Sequence, residues 1–87
     1  MRTGDTVYHR PSMETWVVAA VWERDGTMAW CGWPPGRAQI ADCDLVTACS
    51  DAEHRALLHH LAKIYGEDAR GSYARARLEE VPHAPGE

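Results

Sequence analysis

Two stretches rich in β-branched and aromatic residues, separated by Asp25-Gly26, constrain the fold of this 87-residue chain more than any other feature. An Asp-Gly pair suits a two-residue hairpin loop, because such a turn needs positive φ at both central positions. The sequence therefore predicts an antiparallel hairpin with strands at Glu14–Arg24 and Thr27–Trp33. The Pro-Pro-Gly segment that follows is expected to end the second strand.

The predicted hairpin carries apolar side chains on both faces. A two-residue loop would pair Arg24 with Thr27. Alternation of side chains then places Trp16, Trp22 and Trp33 on one face. Because antiparallel sheets commonly leave one face in water, three arrangements remain open. Either the sheet curls and a helix covers its outer face, or an open face binds a partner, or that face forms a homodimer.

The segments around the hairpin complete the predicted fold. Strands are expected at Thr6–His9 and Ala38–Thr47, and a helix is expected to start at Ser50, where Glu53 completes a capping box. Four short strands followed by a helix predict an α+β fold. We expect a small bent antiparallel sheet, an SH3-like partial barrel, followed by one amphipathic helix.

The chain is short enough for one domain. Residues 1–66 are expected to form the sheet and helix, and Gly66 is placed to stop that helix. Residues 67–87 are interpreted as a charged, partly disordered tail, with a short helix expected at Ser72–Glu80 and disorder over the last seven residues.

The net charge of the chain indicates whether its partner is a nucleic acid or a protein. The formal charge is −4, and the acidic excess is spread over both halves of the chain. The chain has no basic stripe. Binding to a nucleic acid, which is driven by the release of counterions from its phosphates, is therefore disfavoured. An acidic domain is better suited to a basic protein surface.

Cysteine usage and the N-terminal residues bear on location and chemistry. The chain starts without the apolar segment of a signal peptide and contains three cysteines, which favours the cytoplasm and free thiols. Zinc binding by Cys31, Cys43, Cys49 and His54 is an alternative, although no Cys-x-x-Cys pair is present. No motif indicates an activated nucleophile. The sequence therefore predicts a non-enzymatic protein without a cofactor or a membrane span.

The candidate partner-binding residues are aromatic and charged. Tryptophan and arginine are enriched at the residues that dominate binding energy in protein interfaces. Carboxylates beside such anchors are expected to form a polar rim or to protect a sheet edge. The candidates are Trp16, Trp22, Trp33, Arg10, Asp42 and Asp44.

A set of short motifs resembles small uncharacterised phage and prophage proteins over about two-thirds of the chain. The motifs are Gly4-Asp5-x-Val7, His9-Arg10-Pro11, Glu14-x-Trp16, Trp30-Cys31-Gly32-Trp33-Pro34 and Asp42-Cys43-x-Leu45. The resemblance implies an accessory protein of a mobile element, and anti-CRISPR inhibitors are one class of such proteins.

The sequence therefore favours a protein that binds a protein partner stoichiometrically, with inhibition of a host defence complex as one form. The first alternative is an SH3-like or OB-like module that stacks nucleic-acid bases on tryptophan. It predicts that Arg10, Arg24 and Arg37 gather around an exposed tryptophan. The second alternative is a zinc-stabilised interaction domain.

Overall fold

A computed structural model describes residues 1–80, which form a five-stranded antiparallel sheet and two α-helices. The elements are β1 (Thr6–His9), β2 (Glu14–Trp22), β3 (Thr27–Trp30), β4 (Ala38–Gln39), β5 (Cys43–Thr47), α1 (Asp51–Ile64) and α2 (Ala69–Glu80). The strand order is β4-β3-β2-β1-β5. The predicted α+β class is confirmed.

The β2–β3 hairpin turns through four residues rather than the predicted two. Trp22 pairs with Thr27. Within the loop, Asp25 N–H donates to the carbonyl of Trp22, and Gly26 N–H donates to that of Glu23, each at 3.1 Å. A type I′ turn needs two residues with positive φ, but in this loop only Gly26 has it, at 69°. The predicted two-residue register is therefore wrong.

A register shift between Val18 and Ala20 changes which side chains share a face of β2. One extra residue in a strand reverses the alternation beyond it. Ala19 consequently packs toward the helices, whereas Val18 and Val21 belong to the cluster on the opposite face. The predicted sorting of the hairpin into two regular faces is therefore wrong.

The predicted strand Ala38–Thr47 is interrupted by a turn of 3₁₀ helix at Ile40–Asp42. This turn connects β4 and β5, which lie at opposite ends of the strand order. Four chain steps reach about 14 Å at most, whereas the edges of a flat five-stranded sheet lie roughly 19 Å apart. The sheet must therefore curl. Backbone hydrogen bonds from the turn to Gly26 (2.9 Å) and from Arg10 to the turn (3.0 Å) bridge the two edges.

Each face of the curled sheet has its own buried cluster. The helix-side cluster contains Ala19, Leu58, Leu61, Tyr65 and Ala74. The opposite cluster contains Val7, Val18, Val21 and Met28, with Trp16 and Trp30 packed against it. The structure therefore corresponds to the first of the three arrangements considered for the hairpin, in which the sheet curls and a helix covers one of its faces.

The start of α1 follows the predicted capping box. Ser50 Oγ accepts a hydrogen bond from the N–H of Glu53 at 3.1 Å, and the carboxylate of Glu53 accepts one from the N–H of Ser50 at 3.0 Å. These bonds satisfy two backbone donors that a helix N-terminus leaves without partners.

The short helix expected at Ser72–Glu80 forms as α2 and starts three residues earlier, at Ala69. The fold therefore has two helices, and the expectation of a sheet followed by one helix is corrected. In α2, Arg70 and Ala74 are buried. Much of the segment interpreted as a charged tail therefore packs against α1, while the expected disorder at 81–87 lies outside the described residues. Over the described part of the chain, neither helix is long and apolar enough to cross a membrane.

Candidate functional site

The three tryptophans expected to share a partner-binding surface occupy separate environments. Trp16 is half-buried against the cluster opposite the helices. Trp22 is half-buried on the helix side, with its ring centroid 5.8 Å from that of Tyr73. Trp33 is 72% exposed, in a loop of residues 31–37 that we name the tryptophan loop. The structure therefore does not bring the three together, and Trp33 is the most accessible.

The tryptophan loop is anchored on both sides of its exposed ring. On one side, Gly32 N–H donates to the phenolic oxygen of Tyr65 at 2.8 Å. The φ of Gly32 is 109°, a conformation that glycine adopts without steric cost. On the other side, Trp30 Nε1–H donates to the carbonyl of Pro34 at 3.1 Å. A side chain presented by an anchored loop loses less conformational entropy on binding.

Arg70 connects this loop to the turn between the two helices, with only 2% of the residue exposed. Its Nη1 donates to the carbonyls of Trp30 (2.8 Å) and Gly32 (2.7 Å). Its Nη2 lies 2.7 Å from the carboxylate of Asp68. Its guanidinium carbon lies 3.5 Å from the centroid of Tyr65, within cation–π range. The position of the tryptophan loop therefore depends on Arg70.

The carboxylate of Asp68 pairs with the side chain of Arg70 and also accepts a backbone hydrogen bond at the start of α2. Hydrogen bonds from the Arg70 side chain lower the pKa of Asp68 below its usual 3.8. The same carboxylate accepts a hydrogen bond from the backbone N–H of Arg70 at 2.6 Å. A cleft of about 240 Å³ adjoins this pair, lined by Trp22, Pro35, Gly36, Arg37, Asp68, Ala69 and Arg70.

Two of the predicted charged contact residues, Arg10 and Asp44, bond to each other. The guanidinium of Arg10 donates to the carboxylate of Asp44 and to the carbonyl of Ala41. Asp42 lies half-buried in the 3₁₀ turn rather than alternating with Asp44 along a strand. The side chain of Arg10 thus ties the β1–β2 turn to the 3₁₀ turn and to β5, and it neutralises Asp44.

The arginine arrangement expected for a base-stacking module is not present in residues 1–80. Arg37 covers Trp22, with its guanidinium carbon 3.8 Å from the ring centroid. It also lies 3.7 Å from the carboxylate of Asp25. Arg10 pairs with Asp44. Arg10 and Arg37 therefore lie at separate places, and the predicted gathering of three arginines around one exposed tryptophan does not form.

The residues considered as zinc ligands are dispersed. Cys31 packs on the helix-side cluster and Cys43 on the opposite one. Across residues 1–80, no group of three or more His, Cys, Asp or Glu is arranged to hold a metal ion. Burial raises the pKa of Cys31 to about 11, and it also raises the pKa values of Cys43 and Cys49. These thiols are therefore protonated at neutral pH and are weak nucleophiles.

A polar network that the sequence analysis did not identify holds the N-terminal segment. Asp5 is 3% exposed, and its carboxylate accepts hydrogen bonds from the backbone N–H groups of Arg2 and Cys49, each at 2.9 Å. Thr3 Oγ1–H donates to the carbonyl of Ala19 at 2.7 Å. The network connects the first residues to β2 and to the segment that precedes α1.

We expect the fold to lose stability as the pH falls below about 3.8. Burial alone would raise the pKa of Asp5, but hydrogen bonds from Cys49 and Arg2 outweigh it and lower the pKa overall. The pKa of Asp68 is also lowered. A carboxyl whose pKa is lower in the folded state than in the unfolded state contributes its full stabilisation at pH values above the unfolded-state pKa. This contribution is lost as the pH falls through the folded-state pKa.

Urea unfolding followed by circular dichroism, from about pH 6 to about pH 2.5, would measure this loss. The Asp5→Asn variant should show a shallower decline, because one of the two carboxyls no longer titrates. A urea midpoint that is constant or rises below pH 3.8 would contradict the expectation.

Arg70 and Tyr65 are the site residues that the sequence analysis missed. Tyr65 was not among the candidate residues, and Arg70 fell in the segment interpreted as a charged, partly disordered tail. The available signal was Asp68, an N-cap residue type two positions before Arg70. It would have indicated the start of α2, although not the burial of Arg70.

Comparisons of this chain with protein-family models, with curated proteins and with solved structures found no match. The resemblance to phage and prophage proteins therefore stays a prediction. Evidence for function comes from the geometry around the tryptophan loop.

Proposed function

We propose that this chain is a small non-enzymatic protein that binds a protein partner stoichiometrically, with Trp33 as its principal contact. The observation that carries the proposal is a 72% exposed tryptophan on a loop anchored by Tyr65, Trp30 and Arg70. A large exposed ring in a fixed position provides apolar contact area at low entropic cost.

The charge of the chain indicates the kind of partner. With a net charge of −4, it would associate fastest with a basic surface, and raising the salt concentration would slow association. We expect a partner with an apolar pocket for Trp33 and a basic rim.

The architecture that presents this contact is, we infer, an SH3-like partial barrel. Support comes from the curl of the five strands and from the 3₁₀ turn that bridges the edges at Ile40–Asp42. Inhibition of a host defence complex is the particular form of binding that the phage resemblance implies. Identification of the captured partner would decide between this form and others.

Replacing Trp33 by alanine should weaken partner binding by about 30-fold or more, because truncation of a central aromatic contact commonly costs at least about 2 kcal/mol. The wild-type chain would first serve as bait in a lysate of its source. Calorimetric titration of the purified partner would then compare wild type with the Trp33→Ala variant.

Met13→Ala is the matched control, because Met13 is an exposed apolar side chain (76%) in the β1–β2 turn, away from the tryptophan loop. The affinity of the Met13→Ala variant for the partner should stay within about threefold of the wild-type affinity. Equal affinities for the wild type and the Trp33→Ala variant would exclude Trp33 as the principal contact.

A further inference from the structure

The cleft beside Arg70, which we name the loop–helix cleft, lies between the tryptophan loop and the start of α2. Its volume is about 240 Å³, and its lining includes Trp22, Pro35 and Ala69. Sites for drug-sized ligands usually measure about 300–1,000 Å³. The loop–helix cleft is therefore smaller than a typical small-molecule site, and its size suits a single side chain.

The loop–helix cleft adjoins the exposed ring of Trp33. Arg70 lines the cleft, and its guanidinium carbon also lies 5.3 Å from the centroid of the Trp33 ring. Pro35 and Gly36, which follow Trp33 in the same loop, form another part of the lining. A standard interface covers roughly 800 Å² of each protein, a patch with a radius of about 16 Å. A partner centred on Trp33 would therefore cover the cleft as well.

The walls of the cleft are held in place by contacts within the chain. The ring of Trp22 contacts Arg37, whose guanidinium carbon lies 3.8 Å from its centroid, and Tyr73, whose centroid lies at 5.8 Å. At Gly36 the loop packs directly on the ring of Trp30, because a Cβ there would lie 2.8 Å from a ring carbon. A preformed cleft needs little further ordering when a side chain enters it.

The charged side chains that line the cleft have partners within residues 1–80. The carboxylate of Asp68 lies 2.7 Å from Nη2 of Arg70. The guanidinium of Arg37 lies 3.7 Å from the carboxylate of Asp25. A charged side chain that entered the cleft would lose its water and meet groups that are already paired. An apolar side chain would gain contacts without that cost.

We propose that the partner that contacts Trp33 also inserts one aliphatic side chain, of the size of leucine or methionine, into the loop–helix cleft. The interface is then reciprocal, because each protein places an apolar side chain in a pocket of the other. The inference rests on the proposed function, since one partner occupies both places. It adds a second requirement on that partner, an exposed aliphatic residue close to the pocket for Trp33.

Three small probes test the cleft on the protein alone. 2-Methyl-1-propanol carries the isobutyl group of leucine, whereas acetate and n-butylammonium carry the charged ends of aspartate and lysine. In ¹⁵N-labelled protein, the alcohol at up to about 200 mM should shift the indole N–H signal of Trp22 and the amide signal of Ala69 saturably. The expected dissociation constant is on the order of 10–100 mM. The charged probes should not shift these signals saturably.

Filling the cleft from within the chain tests its occupancy by the partner. Ala69 is exposed and lines the cleft, so the A69L variant should weaken partner binding about tenfold or more in the calorimetric titration. The A76L variant is the matched control, because Ala76 is an exposed alanine of the same helix outside the lining of this cleft. The affinity of A76L should stay within about threefold of wild type.

The outcomes separate this proposal from the proposed function. Absence of saturable shifts with the alcohol, or saturable shifts with a charged probe, would overturn the proposal. Wild-type affinity of A69L, or equal weakening by A69L and A76L, would overturn it too, while weak binding by W33A would leave the proposed function standing. Weak binding by A69L with wild-type affinity of W33A would support the cleft and remove Trp33 as the principal contact. If A69L does not fold, the probe titrations of the wild-type chain decide the outcome.

Discussion

Replacing Gly71 by alanine should destabilise the fold by at least about 4 kcal/mol, the range that marks severe core defects. A Cβ at this position would lie 1.8 Å from the carbonyl oxygen of Tyr65 and 2.5 Å from its carbonyl carbon. Both are backbone atoms, so the clash can be relieved only by separating α2 from the end of α1. Thermal unfolding followed by circular dichroism should show a midpoint about 20 °C lower, or no cooperative transition.

Gly66→Ala is the matched control. The nearest atoms to a Cβ at Gly66 lie at 3.8 Å, which is ordinary van der Waals contact. Alanine there should change stability by less than about 1 kcal/mol, and the reduced entropy of the unfolded chain favours stabilisation. If both variants melted close to wild type, the close approach of α2 to Tyr65 would not occur in solution.

Replacing Arg70 by methionine should cost about 3 kcal/mol, because removing one partner of a buried ion pair leaves the other groups without compensation. Methionine keeps an unbranched apolar side chain but removes the donors to Asp68, Trp30 and Gly32. A midpoint about 15 °C lower is expected by thermal unfolding.

Arg75→Met is the control on the same helix. Arg75 is exposed and donates to the carbonyl of Gly66 at 3.1 Å, so its replacement should cost less than about 1 kcal/mol. An Arg70→Met variant as stable as the Arg75→Met variant would contradict the structural role of Arg70. Because Arg70 also positions the tryptophan loop, its methionine variant should bind the partner of Trp33 more weakly at temperatures where it remains folded.

Local sequence signals predicted several elements well. β1 has the predicted bounds, Thr6–His9, because its residues favour extended structure and a proline turn follows. The capping box of Ser50 and Glu53 predicted the start of α1. In both cases the determining contacts lie within a few residues of one another.

Other features depended on contacts far apart in the chain. Asp25-Gly26 is a strong local signal for a two-residue turn. The loop has four residues instead, because the pairing of β2 with β3 places Trp22 opposite Thr27. The break at Ile40–Asp42 follows from β4 and β5 pairing at opposite edges of the sheet. Strand propensity contains no information about which edge a strand joins.

The sequence by itself determined the α+β class, the apolar hairpin and the capped start of α1, because propensities and alternation act over short distances. Tertiary structure alone decided that Trp16 and Trp22 lie on opposite faces of the sheet, since the shift at Val18–Ala20 reverses alternation. It also decided that Trp33 is exposed, because β3 ends at Trp30 and Trp33 lies in the loop beyond it. It also decided that a charged residue, Arg70, is buried. Burial of its guanidinium requires Asp68 and two loop carbonyls that only the folded chain brings together.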